Sequence, residues 1–166
     1  YGDANVNTSF TNNIIKNNTY SFELESVTGY SLTATISNNS ITGNTNGIHA
    51  TTGGTFAVDA SGNWWDSNDP ATVKASANGG SIVDYTPWLN SGTDTDLVTA
   101  GFQGNFSNQW VDDDSPQTGS TSRIQEGINS VSGSTVNIAD GLYIESNTTI
   151  NKSLTLQGQS QSGVVI

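Results

Sequence analysis

The chain of 166 residues has no cysteine, no methionine, one histidine, three prolines and four basic residues. Each shortage removes a class of protein. Without cysteine there is neither a disulfide framework nor a thiolate metal site, and with His49 as the sole histidine there is no two-histidine zinc site. Four Lys and Arg against 15 Asp and Glu leave a net charge of -11. That balance argues against nucleic acid and anionic membranes as partners, since both demand a basic surface. No apolar run approaches the roughly 18 residues of a membrane-spanning helix, so membrane insertion is not expected. Leu, Ile, Val and Phe together supply only 35 residues, near the level at which a charged chain stays disordered. The missing methionine and the start at Tyr1 read as a processed product or an excised segment, with any secretion signal upstream.

What the chain has instead is 20 Asn, 22 Ser, 22 Thr and 18 Gly, half of all residues. An acidic, lysine-poor, cysteine-free chain of this kind is expected outside the cell or on its surface. Glycosylation sequons stand at Asn7, Asn17, Asn38, Asn105, Asn147 and Asn151, a number that an Asn- and Thr-rich chain also generates by chance.

An internal repeat sets the architecture. Asn13, Asn39 and Asn63 fall in equivalent places, as do Ile15, Ile41 and Trp65, and Asn18, Asn44 and Asn68, with steps of 26 and then 24 residues. Between these anchors apolar residues alternate: Phe22 and Leu24 match Ile48 and Ala50, and Leu32, Ala34 and Ile36 match Phe56, Val58 and Ala60. Short alternating runs separated by Asn, Gly, Ser and Thr are short strands with turns between them. At this period they form a parallel β-solenoid, in which each strand pairs with its equivalent one coil away, about 4.8 Å distant. Stacked asparagines then satisfy backbone groups at the corners and tolerate the left-handed conformation that corners need.

The second half opens on one expected helix. Ile124, Ile128 and Val131 share a face, and Ser122 and Gln125 have capping-box spacing. Short strands follow around Val136, Leu142, Ile150, Leu154 and Val164, with Val136 to Leu154 giving an 18-residue first coil.

These segments resemble the right-handed parallel β-helices of the pectate-lyase-like kind found in bacterial and archaeal surface proteins. Arg123 to Ile128, Ser134 to Glu145 and Ile150 to Gly158 look like the capping helix and first coils of such a domain; Gly62 to Asp66 with Val83 to Leu89 looks like its end. The resemblance implies an all-β, right-handed parallel β-helix with one short capping α-helix. The coils come in inverted order: residues 1–89 carry C-terminal coils and an end cap, 90–121 form a joint rich in Asp, Ser, Thr and Gly, and 122–166 begin the next β-helix.

Catalysis is not expected. His49 lies in an alternating strand, facing out, and no phosphate-binding loop is present. The lyases of the resembled family use a basic residue and Ca²⁺, whereas here Arg123 sits on the capping helix and Lys16, Lys74 and Lys152 are scattered. The alternative is a carbohydrate-binding or carbohydrate-processing domain, a polysaccharide lyase or glycoside hydrolase, with Trp64, Trp65, Asp66 and Asp69 as its site and a polysaccharide as partner. The one candidate cofactor is Ca²⁺, with Asp94, Asp96, Asp112, Asp113 and Asp114 as oxygen ligands in the joint.

The sharper expectation concerns the ends. The helix covers one end of the second half and the tryptophans close one end of the first, leaving the Tyr1 and Ile166 ends uncovered. Docking Val164, Val165 and Ile166 of one chain on Val6, Phe10 and Ile14 of another would build a non-catalytic extracellular filament, head to tail, by strand addition over a whole coil. Two further arrangements meet the same pattern: closure of the ends within one chain, or one period cut from a giant tandem repeat. A joint of roughly 30 residues spans about 100 Å when extended, ample for closure over coils about 24 Å deep.

Overall fold

The computed structural model describes residues 4–77 and 82–166, so the expectation attached to Tyr1 lies outside the described residues. Strands β1 (Val6–Thr11), β2 (Ile14–Lys16) and β3 (Tyr20–Ser26) make one coil, and β4 (Ser31–Ser37), β5 (Ser40–Thr42) and β6 (Asn46–Thr52) the next. They pair in parallel, β1 with β4, β2 with β5 and β3 with β6, and β7 (Thr55–Asp59) continues the first sheet. The register is that of the repeat: Phe10 opposite Ile36, Ile15 opposite Ile41, Phe22 opposite Ile48, Ala34 opposite Val58. Ile36, Ile41, Ile48 and Val58 are buried together with Phe22, Leu32 and Trp65, while Ile15 and Phe56 are half-buried against them.

Each coil turns at two sharp corners, and neighbouring residues divide the work there. Asn12, Asn38 and Gly62 hold the left-handed conformation at one corner; Asn17, Gly43 and Asp66 hold it at the other. The residue that follows forms the ladder. Asn13 donates from its backbone N and its Nδ2 to Asn39 Oδ1 (2.9 and 3.0 Å), and Asn39 does the same to Asn63 Oδ1. Asn18 repeats the pattern on Asn44. The third member differs, since Asn68 donates instead to the Asn90 carbonyl. Buried amides are tolerable here because the stack pairs them.

The third coil ends in a helix that the sequence reading did not anticipate. α1 (Pro70–Ser76) starts on Asp69, whose carboxylate accepts from Thr72 N and Thr72 Oγ1, with Pro70 in the first turn. With seven residues and only Val73 buried, it is too short to show helical periodicity. Among the described residues two helices, not one, accompany the strands.

Next come β8 (Val83–Asp84), which pairs with β7, and β9 (Trp88–Leu89). β9 meets β10 (Asn108–Val111) in antiparallel pairing, Trp110 opposite Trp88 with the rings stacked at 6.1 Å. From β10 the stack resumes in parallel: after α2 (Arg123–Ser130) come β11 (Thr135–Ile138), β12 (Gly141–Leu142), β13 (Thr155–Gly158) and β14 (Val164–Val165). β11 lies between β10 and β13, and β12 pairs with β14. The result is an all-β parallel solenoid of about six turns. Its buried residues form two clusters, one around Ile36 and Trp88, the other around Val111, Ile128 and Val136.

Three local expectations need correction. Ser122 makes no capping bond to its own helix; its hydroxyl donates to Glu145, whose other oxygen accepts Ile124 N, so the cap comes from 21 residues downstream. The first coil of the second half is longer than 18 residues, because Val136 faces Leu156 and not Leu154, a shift of two that keeps the same side chains inward. Within the joint, where alternating apolar residues around Phe102, Phe106 and Trp110 read as strand-like patches, only Trp110 lies in a strand, and Phe102 is buried against the corner of the first half. The stretch 90–121 is also packed in place, not slack: Thr118 donates from N and Oγ1 to Asp84, Tyr85 Oη donates to Asp112, and Arg123 donates to the Ser115 carbonyl. Among the described residues β1 and β13 each have a neighbour on one side only, so these two strands do not meet within one chain.

Candidate functional site

Among the described residues no strand pairs with the first coil on its far side. Val6, Phe10 and Ile14 are 45%, 37% and 56% exposed, although Leu32 and Ile36, their equivalents one coil down, are buried. Val6 and Phe10 point inward and lack only a lid. Ile14 stands on the outer side in the column of Ser40 and Trp64, and the inward member of that strand is Ile15. At the other end Val165 and Ile166 are exposed and Val164 is half-buried against the second core. Leu142 and Ile144, absent from the sequence-based set, are exposed there too, with Leu142 directly beside Val165 on the outside.

The backbone at these ends has a definite phase. Thr55 N donates to Tyr30 O, which directs the polar groups of Leu32, Ala34 and Ile36 down to β7 and those of Thr33 and Thr35 up to β1. Alternation then turns Asn7, Ser9 and Thr11 toward the open edge. At the other end Thr155 N donates to Ser134 O and Gln159 N to Ile138 O, so Leu156 and Gly158 present N–H and C=O to the open edge. Tyr143 N donates to Val165 O and Gly141 N to Gly163 O, which leaves Val164 as the outward-presenting residue of β14. Across β4 and β7 the upper strand contributes residues with inward side chains and the lower strand residues with outward side chains. The tail, with Leu156 and Val164, and the head, with Asn7 and Ser9, reproduce that combination.

The asparagine ladder is polar in the same sense. Each rung passes its donors down to the next Oδ1, so the side-chain Oδ1 atoms of Asn13 and Asn18 face the open head.

The aspartates proposed as calcium ligands are not gathered. Asp94 and Asp96 accept backbone N–H groups of their own turn, from Asp96 and Gln103 and from Val98 and Thr99 respectively. Asp112 is buried and accepts from Tyr85 Oη at 2.7 Å, Asp113 accepts from Leu142 N, and Asp114 pairs with Lys74 at 2.9 Å. Burial raises the Asp112 carboxyl above its usual range, against the pull of Tyr85. Among the described residues no three His, Cys, Asp or Glu side chains converge as a metal site.

The carbohydrate set is likewise divided. Trp64 faces out against Gly92, whereas Trp65 faces in and is 2% exposed. Asp66 accepts from Gly43 N at a corner, and Asp69 caps α1. Trp65 and Asp66 do line a cleft of about 540 Å³ beside α1. His49 faces out as expected, stacked on Tyr20 at 4.8 Å and 3.8 Å from Glu23.

Among the described residues no helix is long and apolar enough to cross a membrane. Comparison with protein-family models, with curated proteins and with solved structures finds no match for the chain.

Proposed function

We propose that the protein is a non-catalytic structural subunit of an extracellular or cell-surface filament, in which the tail coil of one copy stacks on the head coil of the next. The observation that carries this reading is the matched phase of the two open ends. Placing Leu156 above Thr8 lets Leu156 N donate to Asn7 O and Ser9 N donate to Leu156 O, the bonding that already joins β4 to β7. The same placement sets Leu156 on the column of inward side chains, with Leu154 over Val6 and the Gly158 backbone over Phe10. A slip of one residue would turn every inward side chain outward, so backbone and side chains agree on one parity. A contact that joins unlike ends does not close on itself and grows a fibre. We propose further that the solenoid is right-handed, in keeping with the pectate-lyase-like repeats its sequence resembles.

Sedimentation velocity and electron microscopy across a concentration series test the filament: particle length should rise with concentration. A chain monomeric at every concentration refutes it. The second reading, a carbohydrate-binding domain, rests on the cleft walled by Trp65 and Asp66. It requires that neutral oligosaccharides shift the resonances of Asn44, Asn46 and Thr72, which also line that cleft.

A further inference from the structure

The segment 92–106 climbs the first half along its corner column, one coil at a time. Gly62, on the third coil, lies against the ring of Phe106; Asn38, on the second, accepts from Gly104 N at 2.8 Å. Asn12, on the first coil, binds Phe102 from both sides, its carbonyl accepting Phe102 N (2.9 Å) and its Nδ2 donating to Phe102 O (3.0 Å). Gly101 is fixed there by its positive φ of 84° and by Asn12 O, which would lie 2.2 Å from any Cβ. Thr95 N pairs with Gln103 O across the hairpin at this same level, since Gln103 Oε1 also accepts from Asn12. Residues 96–100 therefore project past the first coil of their own chain, beyond Asn12. They are held rigid there by Asp96, which accepts Val98 N, Thr99 N and Thr99 Oγ1. The tip carries Leu97 and Val98, 88% and 95% exposed.

We infer that this hairpin is a clasp for a second copy of the chain: on docking, Leu97 and Val98 lie against the outer side of the neighbour's last coil, on the apolar column of Leu142 and Val165. The inference rests on the head-to-tail reading. The occupant follows from continuity, because the tip stands beside the level at which the next coil must sit, about 4.8 Å above Asn12. It follows also from chemistry, because Leu142 and Val165 stack as an exposed apolar pair on the outside of the coil that arrives there. A preorganised tip adds affinity without an ordering cost.

The test uses the absence of cysteine. Val98→Cys and Val165→Cys chains are mixed under assembly conditions and oxidised, and Leu97→Asp/Val98→Asp is compared with wild type for the concentration at which fibres appear. The clasp predicts a cross-linked dimer in the mixture, absent from either chain alone. It also predicts at least a tenfold rise in the critical concentration for the double aspartate variant, at an unchanged urea midpoint because the tip packs on nothing in its own chain. Wild-type fibres together with an unaltered double variant and no cross-link overturn the clasp and leave head-to-tail stacking standing. A wild type that never assembles overturns both.

Discussion

Proline at position 164 should stop fibre growth while sparing the monomer, and the neighbouring position gives the control. Val165 O accepts Tyr143 N, so the polar groups of Val165 face β12, and those of Val164 face the open edge. Val164→Pro removes an N–H that faces the open edge and has no partner among the described residues; its cost to the monomer is a fixed φ and altered packing on the second core, about 1 kcal/mol. In the fibre the same N–H would donate to the head of the next copy. There proline removes the ladder bond and leaves the facing carbonyl unpaired, about 1–3 kcal/mol, which is roughly five- to a hundredfold in the association constant of every junction. Val165→Pro does the reverse, breaking the bond to β12 and weakening the tail coil in the monomer itself. Urea unfolding at a concentration below assembly measures the first quantity, and sedimentation against concentration the second. The reasoning fails if Val164→Pro elongates at the wild-type concentration, or if the two prolines lower monomer stability equally.

The ladder predicts an internal gradient: Asn39→Ala should cost about 3 kcal/mol, since it strands the carbonyls of Phe10 and Ser37 and the donors of Asn13, whereas Asn13→Ala at the open end should cost about 1 kcal/mol, both read from urea midpoints. Burial pushes Glu126 up to about 7, helped by Asp84 and Asp59 and opposed by Arg123. A carboxyl raised in the folded state binds its proton more tightly there than in the unfolded chain, so stability should fall as pH climbs from about 4.5 to about 7. Discounted for its partial exposure, the effect is about 1–2 kcal/mol, and Glu126→Gln should abolish that part of the pH dependence in melting curves. EDTA should leave the melting temperature unchanged at matched ionic strength if the protein donors that engage each aspartate of the joint suffice; a fall reversed by Ca²⁺ would establish calcium binding there.

The solenoid was legible because its signal is redundant. Asn13, Asn39 and Asn63 repeat at the same steps as Ile15, Ile41 and Trp65, and one register satisfies both sets. What escaped was local or supplied from afar. The division of labour between Asn12 and Asn13 depends on which residue takes the positive φ, and two adjacent asparagines look alike in sequence. The cap on α2 comes from Glu145 and not from the capping-box position, a tertiary contact that spacing does not encode. α1 announced itself only by Asp69 and Pro70, a signal too brief beside the strand pattern preceding it.

The open ends were legible for a different reason: an apolar alternation that begins at Val6 and one still running at Val164 have no partner within the chain unless the ends meet, and β1 and β13 do not. What sequence leaves undetermined is whether such ends fit one another, because that depends on two alternations at once. Side-chain parity is visible in the pattern, but the direction of each N–H is set by the neighbouring coil already in place. Thr55 donating to Tyr30 fixes it at the head, and Thr155 donating to Ser134 fixes it at the tail. With both fixed, a further coil adds to either end without a bulge, and covering Val6 and Phe10, each less than half exposed, beneath Leu154 and Gly158 stabilises each junction by about 1 kcal/mol per side chain. Head and tail are the two sides of one coil-to-coil step, which is why Val164 and Val165, adjacent in sequence, should respond so differently to proline.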